Sequence, residues 1–249
     1  MSAGLAPIAA LRDGARLLVL TGAGVSAESG IPTFRGMGGL WQQHRFEDLA
    51  SPEGFARDPA LVWRFYGERR RHASGCTPNP GHHALAEIEA RLGDRFLLVT
   101  QNVDGLHARA GSRRVIELHG GLFRTRCAGC PRPELVDEAL HLDGPPSCDR
   151  CGGLLRPAIV WFGELLDPGH LARVEAFLGE PGPVVFLAAG TSGAVWPAAG
   201  FVELARARGR DTWLVNLGDA DNAGAFDHVV DAPSGEALPR LLAQPTASR

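Results

Sequence analysis

An open α/β sheet, parallel and covered by helices on both faces, with a small module inserted into it, is the fold class this sequence predicts. Short apolar runs at residues 17–20, 96–100, 115–118, 159–162, 184–188, 212–216 and 228–230 alternate with helical stretches. Strands joined by crossover helices leave that pattern. The earliest run, Leu17-Leu18-Val19-Leu20, leads through Thr21 into the glycine-rich stretch Gly22-Ala23-Gly24-Val25-Ser26-Ala27. Two segments, 36–74 and 123–155, break the alternation.

The glycine-rich stretch fits the G-x-G-x-x-G/A spacing of a dinucleotide-binding turn. Gly22 permits the tight turn, Gly24 lets a pyrophosphate approach the backbone, and Ala27 allows close helix–strand packing. Amides at the start of the next helix would then face the anion. On the glycines alone, an ordinary strand-to-helix turn stays open. Several later runs end in Gly, Asn or Asp, as strands do when they deliver loops to a ligand at their carboxyl ends. The chain therefore divides into a discontinuous Rossmann-like domain, 1–35, 75–122 and 156–249, and a small domain. The latter comprises 36–74, helix-like and rich in Arg and aromatics, and 123–155, with four cysteines and several prolines. Residues 244–249 are polar and read as a frayed end.

The 249 residues, 45% of them apolar, suffice for one sizeable core plus a small module. A net charge of -3 argues against a general nucleic-acid binder. All 25 basic Lys/Arg positions are Arg, so the chain carries no lysine. No apolar run approaches the roughly 18 residues of a spanning helix, and Met1 to Arg12 lacks the basic start and apolar stretch of a signal peptide. A cytoplasmic protein with no membrane partner is the expectation. Nothing in the sequence reveals oligomeric state, and a monomer is the default.

Cys127-Ala-Gly-Cys130 and Cys148-Asp-Arg-Cys151 form two C-x2-C turns separated by 17 residues. That is the spacing of a zinc ribbon. Four thiolates would close a tetrahedral site, so the zinc would be structural. Buried or redox-active thiols are the alternative. A nucleic-acid-binding ribbon is disfavoured by Glu134, Asp137, Glu138 and Asp143 between the pairs, against Arg132. Cys76 stands apart as a bystander.

Two further motifs lie at strand ends: Thr100-Gln101-Asn102-Val103-Asp104-Gly105-Leu106-His107, and Val115-Ile116-Glu117-Leu118-His119-Gly120. His119 closes a strand and is followed by Gly120-Gly121, which leaves room for a ligand. These segments, with the continuation Gly30-Ile31-Pro32-Thr33-Phe34-Arg35 and the cysteine quartet in that order, resemble the sirtuins, the NAD-dependent protein-lysine deacylases. The resemblance runs from about Leu17 to Pro239. It implies that His119 is the general base and that Asn102 acts with it. It implies that Gly22, Ala23, Gly24, Ser26, Ala27, Thr33, Phe34, Arg35 and Trp41 contact NAD. Gln101 and Asn102 would reach the nicotinamide ribose, and Asp104 with Asn102 and Val103 would shape the nicotinamide pocket. His107 is expected to be a helix residue without direct chemistry. In the implied reaction an acyl-lysine oxygen attacks C1′ of the ribose, nicotinamide leaves, and His119 takes a ribose hydroxyl proton. The 2′-oxygen then attacks the imidate carbon, and water completes the reaction to give free lysine and an O-acyl-ADP-ribose.

Gly190-Thr191-Ser192 follows a strand and by the same resemblance contacts the NAD backbone, with Val195 and Pro197 nearby. Asn216 would reach the adenine ribose. Many sirtuins carry Glu two positions later, where this chain has Gly218 and then Asp219. Ser234-Gly235-Glu236 resembles the last adenine-side turn, with a plain polar turn before a helix as the alternative. Val160-Trp161-Phe162-Gly163-Glu164 resembles the segment that pairs with an acyl-lysine peptide through its main chain.

Tyr66 and Arg69 lie three apart and would share one helix face. A phenol beside a guanidinium makes a fork for a carboxylate. The pair resembles the Tyr-x-x-Arg of the sirtuin branch that removes succinyl, malonyl and glutaryl groups, and Ala50 stands where that branch has a small residue. A solvated basic helix face is the alternative, and it is the expectation for Arg70 and Arg71. The sequence thus points to removal of succinyl and malonyl groups, with some deacetylation. A deacetylase alone, a mono-ADP-ribosyltransferase on the same scaffold, a Rossmann dehydrogenase and a non-enzymatic zinc module are the rivals.

Overall fold

The computed structural model describes residues 5–11, 13–33 and 45–243. Phe34, Arg35 and Trp41 lie outside the described residues. The main sheet has six strands, β1 (Arg16–Thr21), β2 (Phe96–Thr100), β3 (Val115–Glu117), β7 (Val184–Ala189), β8 (Asp211–Asn216) and β9 (His228–Asp231). Their order is β3-β2-β1-β7-β8-β9, all parallel. The chain builds outward from β1 on one side, then restarts at β7 on the other. The strand order thus reverses between β1 and β7, and in such sheets ligands bind at that point, outside the carboxyl ends of the strands.

β1 is buried from Leu17 to Thr21, and its alternation sorts residues between two faces. Leu17 and Val19 join a core with Leu85, Ile88, Leu238 and Leu241, from helices α5 (Pro80–Leu92) and α9 (Ser234–Leu241). Leu18 and Leu20 join another with Val174, Leu178, Val202 and Ala205, from α7 (Pro168–Gly179) and α8 (Phe201–Ala207). The two-faced parallel sheet is as the sequence led one to expect.

A second, antiparallel sheet has the order β5-β4-β6, with β4 (Gly120–Cys127), β5 (Leu135–Val136) and β6 (Leu155–Ile159). The strand expected over 159–162 is therefore displaced: pairing with β4 ends at Ile159, and 160–163 run on without a sheet partner. Over this sheet lie α2 (Phe46–Leu49), α3 (Pro52–Arg57) and α4 (Pro59–Gly75), where the sequence anticipated helices. Ser51 and Asp58 cap α3 and α4, accepting from Gly54 N and Leu61 N, and Pro follows each cap. Val62, Trp63, Tyr66, Leu122, Ile159 and Trp161 make the module's core.

Arg70 overturns its expected solvation. It is fully buried on α4 and donates to the carbonyls of Leu122 (2.7 Å), Arg124 (3.3 Å) and Ala139. It also pairs with Asp137 at 3.3 Å, and Asp137 in turn meets His141 at 2.8 Å. A planar five-donor fork suits several carbonyls at once, so Arg70 joins the helical insertion to the β4 strand and the loop between the cysteine pairs. Arg71, half exposed and paired with Glu68, behaves as expected.

Candidate functional site

The turns after β1 and β7 interlock through glycines. Gly22 N donates to Ala189 O (3.0 Å) and Gly24 N to Gly190 O (2.8 Å). A Cβ on Gly24 would stand 2.7 Å from the Gly190 Cα, and one on Gly190, which sits at φ +60°, 2.2 Å from Val25 N. Close approach of two loops thus demands these glycines. This revises two expectations. The Gly24 amide is engaged by Gly190 rather than offered to an anion. Ala27 is exposed at the end of the five-residue helix α1 (Ala23–Ala27), so the tight packing falls to Gly24 and not to Ala27. Ala23 and Thr33 are half-buried.

Below the turns lies a buried polar network. Asn102 Nδ2 donates to Gly22 O (3.0 Å) and Ser26 Oγ (3.1 Å), and Ser26 Oγ donates to Asp104 Oδ2 (2.8 Å). Asp104 Oδ1 accepts from Leu106 N at the start of α6 (Leu106–Arg109). Gln101 Nε2 reaches Thr191 Oγ1 at 3.2 Å, tying β2's end to the turn after β7. Gln101, Asn102, Asp104, Ser26 and Thr191 are therefore brought together. Val103, buried, instead anchors the second sheet, accepting Leu122 N at 2.8 Å.

His82 belongs to this network, although nothing in the sequence reading singled it out. Its Nδ1 accepts from Asn79 N (3.3 Å), so Nε2 bears the proton and faces Ser26 Oγ at 3.4 Å. Asn79 caps α5, with Pro80 next and His82 at the third helical position, a capping box. The Asn-Pro signal at a helix start could have located it. His107, also buried, meets Thr21 Oγ1 at 2.9 Å, and Thr21 bonds Thr100 at 2.8 Å. Both histidines are neutral. Burial pushes His82 down to about 4, against the opposing charge of Asp104, and pushes His107 down to about 3, with His82 adding to the shift.

Protons taken up by the unfolded chain below pH 6.5 are refused by these folded histidines. Their contribution is therefore complete above pH 6.5 and is lost as pH falls toward 4 and 3. At pH 5 the loss is roughly 2 kcal/mol for each. We expect the urea midpoint to drop steeply between pH 7 and 5 and the drop to shrink by about half in His107→Gln. A flat midpoint over that range would contradict the assignment of two buried neutral histidines.

His119 closes the strand-end set. Its Nδ1 lies 3.0 Å from the carbonyl of Gln101, which can only accept. Nδ1 therefore carries the proton, and Nε2 presents a lone pair. Burial lowers its pKa while the Gln101 carbonyl opposes the shift, so the imidazole is neutral near pH 7. A neutral, oriented imidazole can take a proton. Val160 N bonds the His119 carbonyl at 2.9 Å, which brings the 160–164 segment alongside.

That segment is fastened at both ends. Phe162 N donates to Ala50 O (3.0 Å), and Trp161 Nε1 donates to Tyr66 Oη (2.9 Å). Phe162 is 44% exposed, Gly163 sits at φ +88°, and Trp161 is buried. The Glu164 carboxylate is engaged within the protein: it takes Arg126 (2.7 Å), Arg156 (2.7 and 2.9 Å) and the Trp161 amide (2.8 Å). Tyr66 is buried, and the Arg69 guanidinium lies 5.5 Å from its ring, so the two do share one face of α4.

On the far side, Gly218 takes φ +76° and donates to Asp231 Oδ1 at 3.0 Å. A Glu would be strained there, which accounts for glycine at this position. Asn216 Nδ2 bonds the carbonyls of Gly218 (3.1 Å) and Asp219 (3.2 Å). Ser192 accepts Asp221 N, and Ser234 begins α9, buried.

The sulfurs of Cys127, Cys130, Cys148 and Cys151 lie within 4.8 Å of one another. Cys127–Cys151 and Cys130–Cys148 separations of 3.5 and 3.9 Å bracket the edge of about 3.8 Å expected for four sulfurs at Zn–S distances of about 2.3 Å. The quartet fits one structural zinc with no open position. Among the described residues no helix is long and apolar enough to cross a membrane.

The profile described as Sir2 family matches residues 22–197. "NAD-dependent protein deacylase 2" of Pyrobaculum aerophilum is 48% identical over 225 residues, covering 90% of this chain and 89% of that protein. The mitochondrial "NAD-dependent protein deacylase sirtuin-5" of Canis lupus familiaris is 43% identical over 252 residues, covering 91% and 81%. A crystal structure of a Sir2 homologue–NAD complex superposes with a TM-score of 0.83 at 44% identity, covering 91% of this chain and 87% of that one.

Proposed function

The chain belongs to the Sir2 family and is an NAD-dependent protein deacylase, and we propose that succinyl- and malonyl-lysine are the acyl-lysines it takes best. The observation that carries this reading is the Tyr66–Arg69 pair. A buried phenol, bonded by Trp161 of the 160–164 segment, stands beside a half-buried guanidinium. Burial lowers the Arg69 pKa, with Tyr66 and Asp104 opposing. A guanidinium held in such a partly desolvated place binds a carboxylate more strongly than one in water does. A dicarboxylic acyl chain brings a carboxylate, with bidentate geometry available from Arg and a further donor from Tyr. Ala50, buried at the same core, leaves length for the chain.

NAD fits the crevice, because the interlocked glycines present backbone without side chains and Asn102, Asp104 and Ser26 lie buried beneath. Bound there, it supplies a ribose carbon whose bond to nicotinamide can be broken. In our reading Gly22, Ala23, Ser26, Gly190, Thr191, Ser192 and Asn216 hold the nucleotide. Gln101, Asn102 and Asp104 surround the reacting end, and Asn102 orients while His119 Nε2 accepts a hydroxyl proton. Val160 to Gly163 pair with the peptide backbone of an acylated protein. Zinc takes no part beyond holding the module.

Matched succinyl-, malonyl- and acetyl-lysine peptides, with nicotinamide release followed, test the proposal. We expect the succinyl peptide to turn over faster, and Arg69→Met to lower its kcat/KM by about 10- to 100-fold, the scale of a charge-assisted hydrogen bond. Intact succinyl removal in Arg69→Met would sink the acyl assignment. Turnover of acetyl alone would leave a deacetylase, and labelled ADP-ribose on protein would favour a transferase.

A further inference from the structure

The Tyr66 hydroxyl has a partner that constrains what it can recognise. Trp161 Nε1 lies 2.9 Å from Tyr66 Oη, and neither residue is more than 2% exposed. An indole N–H can only donate, so the phenol oxygen accepts. Among the described residues, no acceptor takes the phenol's own proton. A phenol proton lies near the ring plane, on one of two sides. With the indole filling one side, the proton is turned to the other.

Trp161 cannot swing away from this contact. The Arg156 guanidinium carbon stands 3.3 Å from the centroid of its indole ring. Glu164 takes Arg156 through both carboxylate oxygens and also takes the Trp161 amide, with Arg126 as a further donor. Phe55 packs on Trp161 from another direction, ring centroids 5.4 Å apart.

We propose that Trp161 is a positioning residue for acyl-group selection: its indole N–H holds Tyr66 Oη as an acceptor on one side, so that the Tyr66 hydroxyl donates toward the acyl carboxylate that Arg69 meets. The inference rests on the dicarboxylic-acyl reading above. It assigns Trp161 a role through Tyr66 beyond its place in the module's core.

Trp161→Phe keeps a ring beneath Arg156 and deletes the N–H. The ratio of kcat/KM for succinyl-lysine over acetyl-lysine peptides should fall about fivefold, the scale of one hydrogen bond, through KM. In a Tyr66→Phe background the same substitution should leave the ratio where Tyr66→Phe had put it, since residues acting through one contact are non-additive. A measurement that needs no Trp161 variant complements this. In protein labelled with 15N at the indoles, Tyr66→Phe should move one of the five Trp resonances upfield. An unmoved indole spectrum, an unchanged ratio in Trp161→Phe, or an equal fall in both backgrounds would each overturn the inference. If Tyr66→Phe and Arg69→Met shift the ratio while Trp161→Phe does not, the positioning role alone fails. If none of the three shifts it, the dicarboxylic reading fails.

Discussion

His119→Ala is expected to lower kcat/KM for acyl-lysine removal by about 10³-fold, within the range that a positioned general base supplies. The tautomer set by the Gln101 carbonyl leaves Nε2 as an acceptor, and no other described imidazole is both half-exposed and at the strand ends of this crevice. The pH profile gives a second readout. Burial lowers the His119 pKa, so the base is available in its neutral form at and below pH 6.5. Activity should hold from neutral pH to below 6.5 and fall only as pH drops through the lowered value. A variant retaining a tenth or more of wild-type kcat/KM, or an acid limb centred above pH 6.5, would remove His119 from the base's role.

Arg70→Ala should destabilise the protein by about 3–5 kcal/mol, the consequence of leaving Asp137 and several buried carbonyls without their cation. For a chain of this size that lowers the melting temperature by roughly 10 °C. The neighbouring Arg71→Ala removes a half-exposed pair with Glu68 and should change stability by less than about 1 kcal/mol. The contrast between adjacent arginines is the measurement. Equal melting temperatures in the two variants would mean that the Arg70 contacts contribute little. A further consequence concerns substrate preference, because Arg70 and Arg69 are consecutive on α4. Loosening one should raise KM for succinyl peptides even where the fold persists.

Much of the site was legible because its residues lie in short stretches at strand ends. A buried strand followed by small residues has few physical meanings, and paired C-x2-C turns have fewer. The cysteine quartet and the Tyr66–Arg69 spacing could be read from neighbours in the chain, and His119 and the Gln101–Asp104 stretch from their place at strand ends together with the family resemblance. What could not be read were the contacts between distant segments. Arg70 and Arg71 are chemically identical side chains one residue apart, and local pattern offers no reason for one to be buried. A helix turns by 100° per residue, so a single step carries the side chain from solvent to core, and the positions of Ala139 and Asp137 decide its fate. His82 was missed for the same reason. It sits more than fifty residues from Ser26 in the chain and 3.4 Å from it in space.

The sequence by itself pointed to the parallel α/β sheet and the inserted cysteine module, and the resemblance of its motifs pointed to the family. Periodicity, turn residues and ligand spacing are local properties, and they survive without knowledge of the fold. Only the tertiary structure decided which glycines serve loop-to-loop packing. It alone placed His82 and His107 as buried neutral groups, committed Glu164 to Arg126 and Arg156 rather than to a ligand, and brought the Trp161 indole to the Tyr66 hydroxyl. Each depends on groups far apart in the chain meeting within hydrogen-bond distance. Such meetings are set by how two sheets and their helices pack, and packing is collective over the whole core.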